Sequence, residues 1–126
     1  MKSLTRYIQE KLIIGSSNYK YFPETKEELK EIIDKCIEEE GNEADLNDID
    51  VSNITDMSSL FESTNFNGNI SKWDVSNVEN MSYMFNKCYK FEGKGLENWD
   101  VSNLKRRQNM FNECTKLTCD LSSWQY

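Results

Sequence analysis

Apolar positions recur at fixed intervals along the second two thirds of the chain, and they recur in register. Starting from Asp50, Asp74 and Asp100, each followed by Val-Ser-Asn, comes an aliphatic residue (Ile54, Val78, Leu104). Met57 or Met81 follows three positions on, then Leu60, Met84 or Met110, and at once Phe61, Phe85 or Phe111. Thr64, Cys88 or Cys114 comes next, then Phe66, Phe91 or Leu117, then Ile70, Leu96 or Leu121, and each unit closes on Trp73, Trp99 or Trp124. The steps between copies are 24 and 26 residues. A period of that length marks one supersecondary unit stacked on copies of itself.

Val78, Met81, Met84, Phe85 and Cys88 are three to four apart, the spacing of one helical face. Ser76 with Glu79 three later has the form of a capping box, so a short helix is predicted to start there. Asn69 to Trp73, polar except at its anchors, reads as a short strand, and Gly68, Gly93 and Gly95 stand where sharp turns are needed. Each unit is then expected to be strand, turn and short helix, sharing one core with its neighbours. The fold class predicted is α+β: a short leucine-rich-repeat-like solenoid with an N-terminal helical cap. It forms a single domain over 1–126, with the cap over 1–44 and about three repeats over 45–126.

The cap is read from different signals. Leu4, Ile8 and Leu12 are spaced for an amphipathic helix over Lys2 to Ile13, ending near Gly15. Thr25 and Glu28 form a second capping box, and Leu29, Ile32, Ile33, Cys36 and Ile37 share a face that stops at Gly41. Ala44, Leu46 and Ile49 are expected to form the first strand.

Trp-Asp-Val-Ser-Asn-Val-x-x-Met-x-x-Met-Phe-x-x-Cys resembles the 26-residue repeat of bacterial surface proteins and lipoproteins, related to the BspA-like leucine-rich repeats. The resemblance covers about Asp45 to Trp124. It implies a solenoid used for protein binding, often at a cell surface, with no chemistry attached to the repeat and no functional residue to carry over. Three departures stand out. Arg107 occupies the position of Met57 and Met81, so that segment is expected to distort or turn outward. There are only about three copies, near the minimum for a stable stack. No polar capping unit follows Trp124.

Charge is unevenly placed. Residues 24–56 carry net −10, residues 1–23 carry +3 and residues 57–126 are balanced, within a total of −7. The acidic stretch reads first as a solvated face and, more sharply, as a patch that docks on a basic partner. Direct nucleic-acid binding is disfavoured by the same sign. No run of 18 apolar residues is present, and Met1 to Arg6 has no secretory character, so the protein is placed in the cytoplasm, or at the surface if an export signal has been removed.

Candidate chemistry is sparse. The chain has no histidine and four cysteines. Cys88 and Cys114 share one repeat position and read as buried small hydrophobes, Cys36 lies on a helical stripe, and the Cys114–Cys119 spacing does not make a zinc site. Asp45 to Asp50 fails the calcium-loop pattern, with Asp50 where a glycine is required. Asp50, Asp74 and Asp100 are expected to cap their own turns. No metal, cofactor or catalytic residue is assigned.

The function expected is a non-enzymatic protein-binding module. Its outward candidates are Ser71, Lys72, Glu97, Asn98, Asp120 and Ser122, with Glu38, Glu39 and Glu40 on the acidic helix and Lys105, Arg106 and Arg107 as further contact groups. The alternative is a small intracellular inhibitor or decoy, borne by a phage or mobile element, that docks its acidic patch on a basic nucleic-acid-binding host defence protein. Self-association through the uncapped C-terminal edge is a third possibility. No membrane partner is expected.

Overall fold

A computed structural model describes residues 19–124. The helix expected over Lys2–Ile13 lies outside the described residues. One α-helix is present among them, α1 (Lys26–Glu40), together with a single 3₁₀ turn at Leu96–Asn98. Helix α1 begins as its sequence predicts. Thr25 accepts a hydrogen bond from the Glu28 N–H at 3.1 Å, while Glu28 reaches back to the Glu24 N–H at 2.8 Å. Its end is set by Gly41 at φ 88°, whose N–H bonds to the Ile37 carbonyl. Only glycine adopts that backbone without a Cβ penalty.

The repeats do not form strands and helices, which corrects the α+β solenoid expected above. Among the described residues strand-type pairing is limited to isolated parallel bridges, Tyr21 with Ile49, Asp45 with Asn69, Asp56 with Asn80, and Asn80 with Arg106; there is no sheet. Asn69–Trp73 is not a strand, and no helix starts at Ser76. The Glu79 N–H that a capping box requires is bonded instead to the Thr55 carbonyl of the preceding coil at 2.8 Å. Ser76 Oγ turns back to Asp74 at 2.6 Å.

What replaces the helix is a run of tight turns. Leu60 N–H bonds to Met57 O and Thr64 N–H to Phe61 O; Met84 to Met81 and Cys88 to Phe85 repeat the pattern. The third residue of each turn has left-handed backbone: Ser59, Tyr83 and Asn109 at φ 58°, 58° and 53°, then Ser63, Lys87 and Glu113 at 59°, 61° and 59°. A positive φ at that position is the mark of a type II turn. Each turn returns the chain to the core every three or four residues, so it reproduces helical apolar spacing without a helix. The left-handed residues also aim alternate N–H groups at the next coil. Met57, Ser59, Phe61 and Ser63 donate to Asn80, Ser82, Met84 and Asn86, at 2.8–2.9 Å.

One core cluster runs through the stack, from Tyr21 and the α1 residues Leu29, Ile32, Ile33 and Cys36 to Trp124. Its columns are aromatic. Phe85 lies 5.5 Å from both Phe61 and Phe111, nearly parallel to each. Trp99 stacks between Trp73 at 6.4 Å and Trp124 at 6.2 Å. Each tryptophan bonds its indole N–H to a carbonyl of the coil before: Trp73 to Leu46, Trp99 to Ile70, Trp124 to Leu96, at 2.8–3.0 Å. A buried indole is satisfied only with such a partner. Gly68 marks the tightest approach between coils, because a Cβ there would lie 2.0 Å from the Ala44 carbonyl oxygen.

Candidate functional site

The repeated polar residues are spent on turns. Asp50, Asp74, Asp100 and Asp120 each accept the N–H of the serine two residues on, at 3.0–3.1 Å. The Ser102 hydroxyl and N–H hold the Asp100 carboxyl below its ordinary range, and the Ser122 N–H does the same for Asp120. Asn77 and Asn103 bridge coils instead, each donating to the serine carbonyl of the previous Asp-Val-Ser-Asn, Ser52 or Ser76. A side-chain ladder runs alongside: Asn112 donates to Asn86, and the buried Asn86 donates to Glu62. That last bond is the main reason the Glu62 carboxyl is held low.

Cys88 and Cys114 occupy stacked positions on the turn column. Cys88 Sγ lies 2.9 Å from the Phe61 carbonyl and Cys114 Sγ 2.7 Å from that of Phe85. Hydrogen bonding between the two thiols pushes Cys114 up and Cys88 down. Burial pushes Cys36 up to about 11, which disfavours the reactive thiolate form. Among the described residues no group of three or more histidine, cysteine or acidic side chains has the arrangement to hold a metal.

The outward candidates do not form one site. Ser71 is half-buried, with its N–H and hydroxyl on Asn69, and it shares a groove with Asn98, Glu92 and Lys94. Lys72 lies in a separate hollow of about 830 Å³ with Glu39, Glu40, Asp45 and Asp48. One Asp48 oxygen is buried there without a partner among the described residues. Glu97, Asp120 and Ser122 are exposed and line neither hollow. Lys105 and Arg106 border a groove with Asp56, Glu79 and Asn80, in which Lys105 meets Glu79 at 3.4 Å. Arg107 turns outward and lines a different hollow, with Asn109, Phe111, Leu121 and Trp124. The structure thus brings Lys72 to the acidic end of α1, where Glu38 is also exposed, and splits the basic run in two.

Two features have no signal in the sequence. Lys26 reaches from α1 across to the first coil, donating to the Ser58 carbonyl and hydroxyl at 3.3 and 3.0 Å and pairing with Asp56 at 3.6 Å. Burial pushes the Asp56 carboxyl up, but the Ser58 hydrogen bonds and Lys26 outweigh it and hold the group low. The second is the backbone of the last coil, where Asn109 and Glu113 repeat the left-handed conformation of the coils before. Among the described residues no helix is long and apolar enough to cross a membrane.

Comparison with known proteins gives one match. The model of a family described as Mycoplasma protein of unknown function, DUF285, matches residues 27–126. This corrects the resemblance to the BspA-like leucine-rich repeats. Spacing of valine, methionine and phenylalanine at three to four residues suited either reading, and the turn-built coil, without a strand, is what produces it here. No curated protein and no solved structure matches the chain.

Proposed function

We propose, from the premise that the chain belongs to the DUF285 family of Mycoplasma proteins of unknown function, that it is a non-enzymatic protein-binding module. The observation that carries this reading is the division of labour between repeated and varied positions. Residues common to the copies are buried or bonded within the stack. Equivalent outward positions hold different chemistry on one backbone: Thr55, Glu79 and Lys105 are exposed in one row, and Ser59, Tyr83 and Asn109 share left-handed backbone in another. A uniform frame displaying unlike side chains supports recognition of a macromolecule, as in other stacked-repeat proteins.

A second reading is favoured by the end of α1. Glu38, Glu39 and Glu40 stand at its C-terminus with no basic residue in the last turn. Carboxylates there oppose the helix dipole, each typically costing about 0.3–1 kcal/mol. Lys35 pairs with Glu39 at 3.4 Å and Lys72 shares a hollow with Glu39 and Glu40, yet acidic groups still outnumber basic ones there, which supports an acidic patch docking on a basic partner, including the role of a small cytoplasmic inhibitor of a basic nucleic-acid-binding protein.

Crosslinking of the native protein followed by proteomics tests both. Charge reversal at Lys72 and Glu97 is expected to reduce capture of a specific partner at least tenfold with an unchanged melting temperature. Under the second reading it is neutralisation of Glu38, Glu39 and Glu40 that abolishes capture, and the captured protein is basic. A partner profile indifferent to every one of these changes refutes both.

A further inference from the structure

Asn67-Gly68 is the one Asn-Gly step in the chain. Packing dictates both residues. Gly68 runs so close to the segment before it that a Cβ would lie 2.0 Å from the Ala44 carbonyl oxygen. Asn67 spans the junction with the following coil at two points. Its Nδ2 donates to Glu92 Oε2 at 3.1 Å, and its Oδ1 accepts from the Glu92 N–H at 2.9 Å. A side-chain amide offers both a donor and an acceptor, whereas a carboxylate only accepts.

The same two residues make a reactive linkage. Glycine has no side chain to obstruct attack by its nitrogen on the asparagine Cγ. The N–H groups of Asn67 and Asn69 are bonded to the Asn42 and Ala44 carbonyls at 2.7 and 3.0 Å, but the Gly68 N–H between them makes no hydrogen bond among the described residues. What holds the reaction back is Glu92. Attack turns the planar amide carbon tetrahedral and drives off Nδ2 as ammonia, so the bond to the Glu92 carboxylate must break first. That carboxylate gives the leaving ammonia no proton, because the Asn67 amide above all, and then Lys94, hold it ionised and below its ordinary range.

We propose that Asn67 is a modification site guarded by Glu92: parting of the two coils permits deamidation, and deamidation then opposes their closure. In the open state the Gly68 nitrogen bonds to the Asn67 Cγ, the Cγ–Nδ2 bond breaks, and the proton of the Gly68 nitrogen leaves with the ammonia. Water then opens the five-membered imide at either carbonyl, leaving aspartate or isoaspartate. Neither fits the closed junction. Aspartate sets a carboxylate oxygen against Glu92 Oε2 where an N–H stood. Lys94, 3.4 Å from Glu92 Oε1, offsets one of the two charges, while Glu43 lines the same hollow and adds a third carboxylate. Isoaspartate inserts a methylene into the main chain between the bonds to Asn42 and Ala44, beside a glycine that has no room to move. Coils part by local opening, so the rate in the folded protein is the rate of the open chain scaled by the open population.

Peptide mapping by mass spectrometry follows the conversion in the 126-residue protein at mildly alkaline pH, with and without denaturing urea. The folded protein is expected to convert at least tenfold more slowly than the unfolded chain, and folded Glu92→Ala at least threefold faster than the folded parent. Glu62→Ala, which removes the matching bond from Asn86, should leave the rate at Asn67 unchanged. Equal rates in folded and unfolded chains overturn the proposal. So does slower conversion in Glu92→Ala, because Glu92 then assists the reaction, and so does equal acceleration by Glu62→Ala, which would mark a general loosening. Asn67→Asp makes one product directly and should lower the urea midpoint. Asn67→Asp/Glu92→Gln, in which the glutamine amide donates to the new carboxylate, should recover at least half of that fall. Equal midpoints for these two variants also overturn the proposal, since the facing carboxylates then oppose nothing.

Discussion

Replacing Lys87 with glycine separates a turn ladder from a helix by the sign of its effect. Lys87 is exposed and sits at φ 61°, while its N–H bonds to the Asn112 carbonyl at 2.8 Å, a contact that glycine retains. Holding an L-residue in left-handed backbone costs about 1–2 kcal/mol. Glycine removes that strain and loses roughly 0.5–1 kcal/mol through its greater freedom in the unfolded chain. The net expectation is a gain of about 0.5–1 kcal/mol, or roughly 2–5 °C in Tm for a domain of this size. In a helix interior the same change would cost about 1 kcal/mol. Urea unfolding followed by the fluorescence of Trp73, Trp99 and Trp124 measures the difference, provided the m-value is unchanged. Glu113→Gly should behave alike, whereas Lys90→Gly, at an exposed position without positive φ, should lose about 0.5–1 kcal/mol. A Lys87→Gly protein destabilised by about 1 kcal/mol refutes the turn assignment.

Three more outcomes follow from the packing. Phe85→Ala removes a fully buried ring stacked on both sides and should cost about 3–5 kcal/mol by urea denaturation, whereas the half-buried Phe111→Ala should cost roughly half as much. Equal losses would deny the column its end. Gly68→Ala drives a Cβ into the Ala44 carbonyl and should cost about 2–3 kcal/mol, seen as a matching fall in the urea midpoint; an unchanged midpoint shows that the coils part freely. Because the Asp56 carboxyl is held below its ordinary value, its contribution is complete above the unfolded value of 3.8 and is lost as pH falls through the folded one. Asp56→Asn should therefore be less stable than the parent at pH 7, with the gap closing in strong acid, and a pH-independent gap would assign the loss to packing instead.

Repetition was legible in the residues, and so was its burial. Val51, Val75, Val101 and the three tryptophans are in the core, as the recurrence of their apolar chemistry implies. Helix α1 was legible because its signals are local: a threonine cap, a glutamate three later, one apolar face and a glycine stop. The repeats misled because their signal is not local. Met81, Met84, Phe85 and Cys88 have helical spacing, and Ser76 with Glu79 has the form of a cap, yet the N–H groups of Glu79, Met81 and Phe85 are captured by a neighbouring coil while those of Met84 and Cys88 close tight turns three residues back. Tyr83, Lys87 and Glu113 are poor formers of left-handed backbone, so composition gave no warning of six such residues in two rows. Among the candidate contacts, the outward turn of Arg107 followed from its charge. The separation of Arg107 from Arg106, and the approach of Lys72 to the end of α1, depended on the path of the coil.

By itself the sequence determined the period, the identity of the core columns and helix α1, because each depends on which side chains must leave water and on caps within four residues of one another. Tertiary structure decided the rest. Whether a backbone N–H bonds three residues back or one coil away depends on a neighbour 23–27 positions distant, and only the stacked chain places that carbonyl within reach. The same fact sets the direction of the ladder.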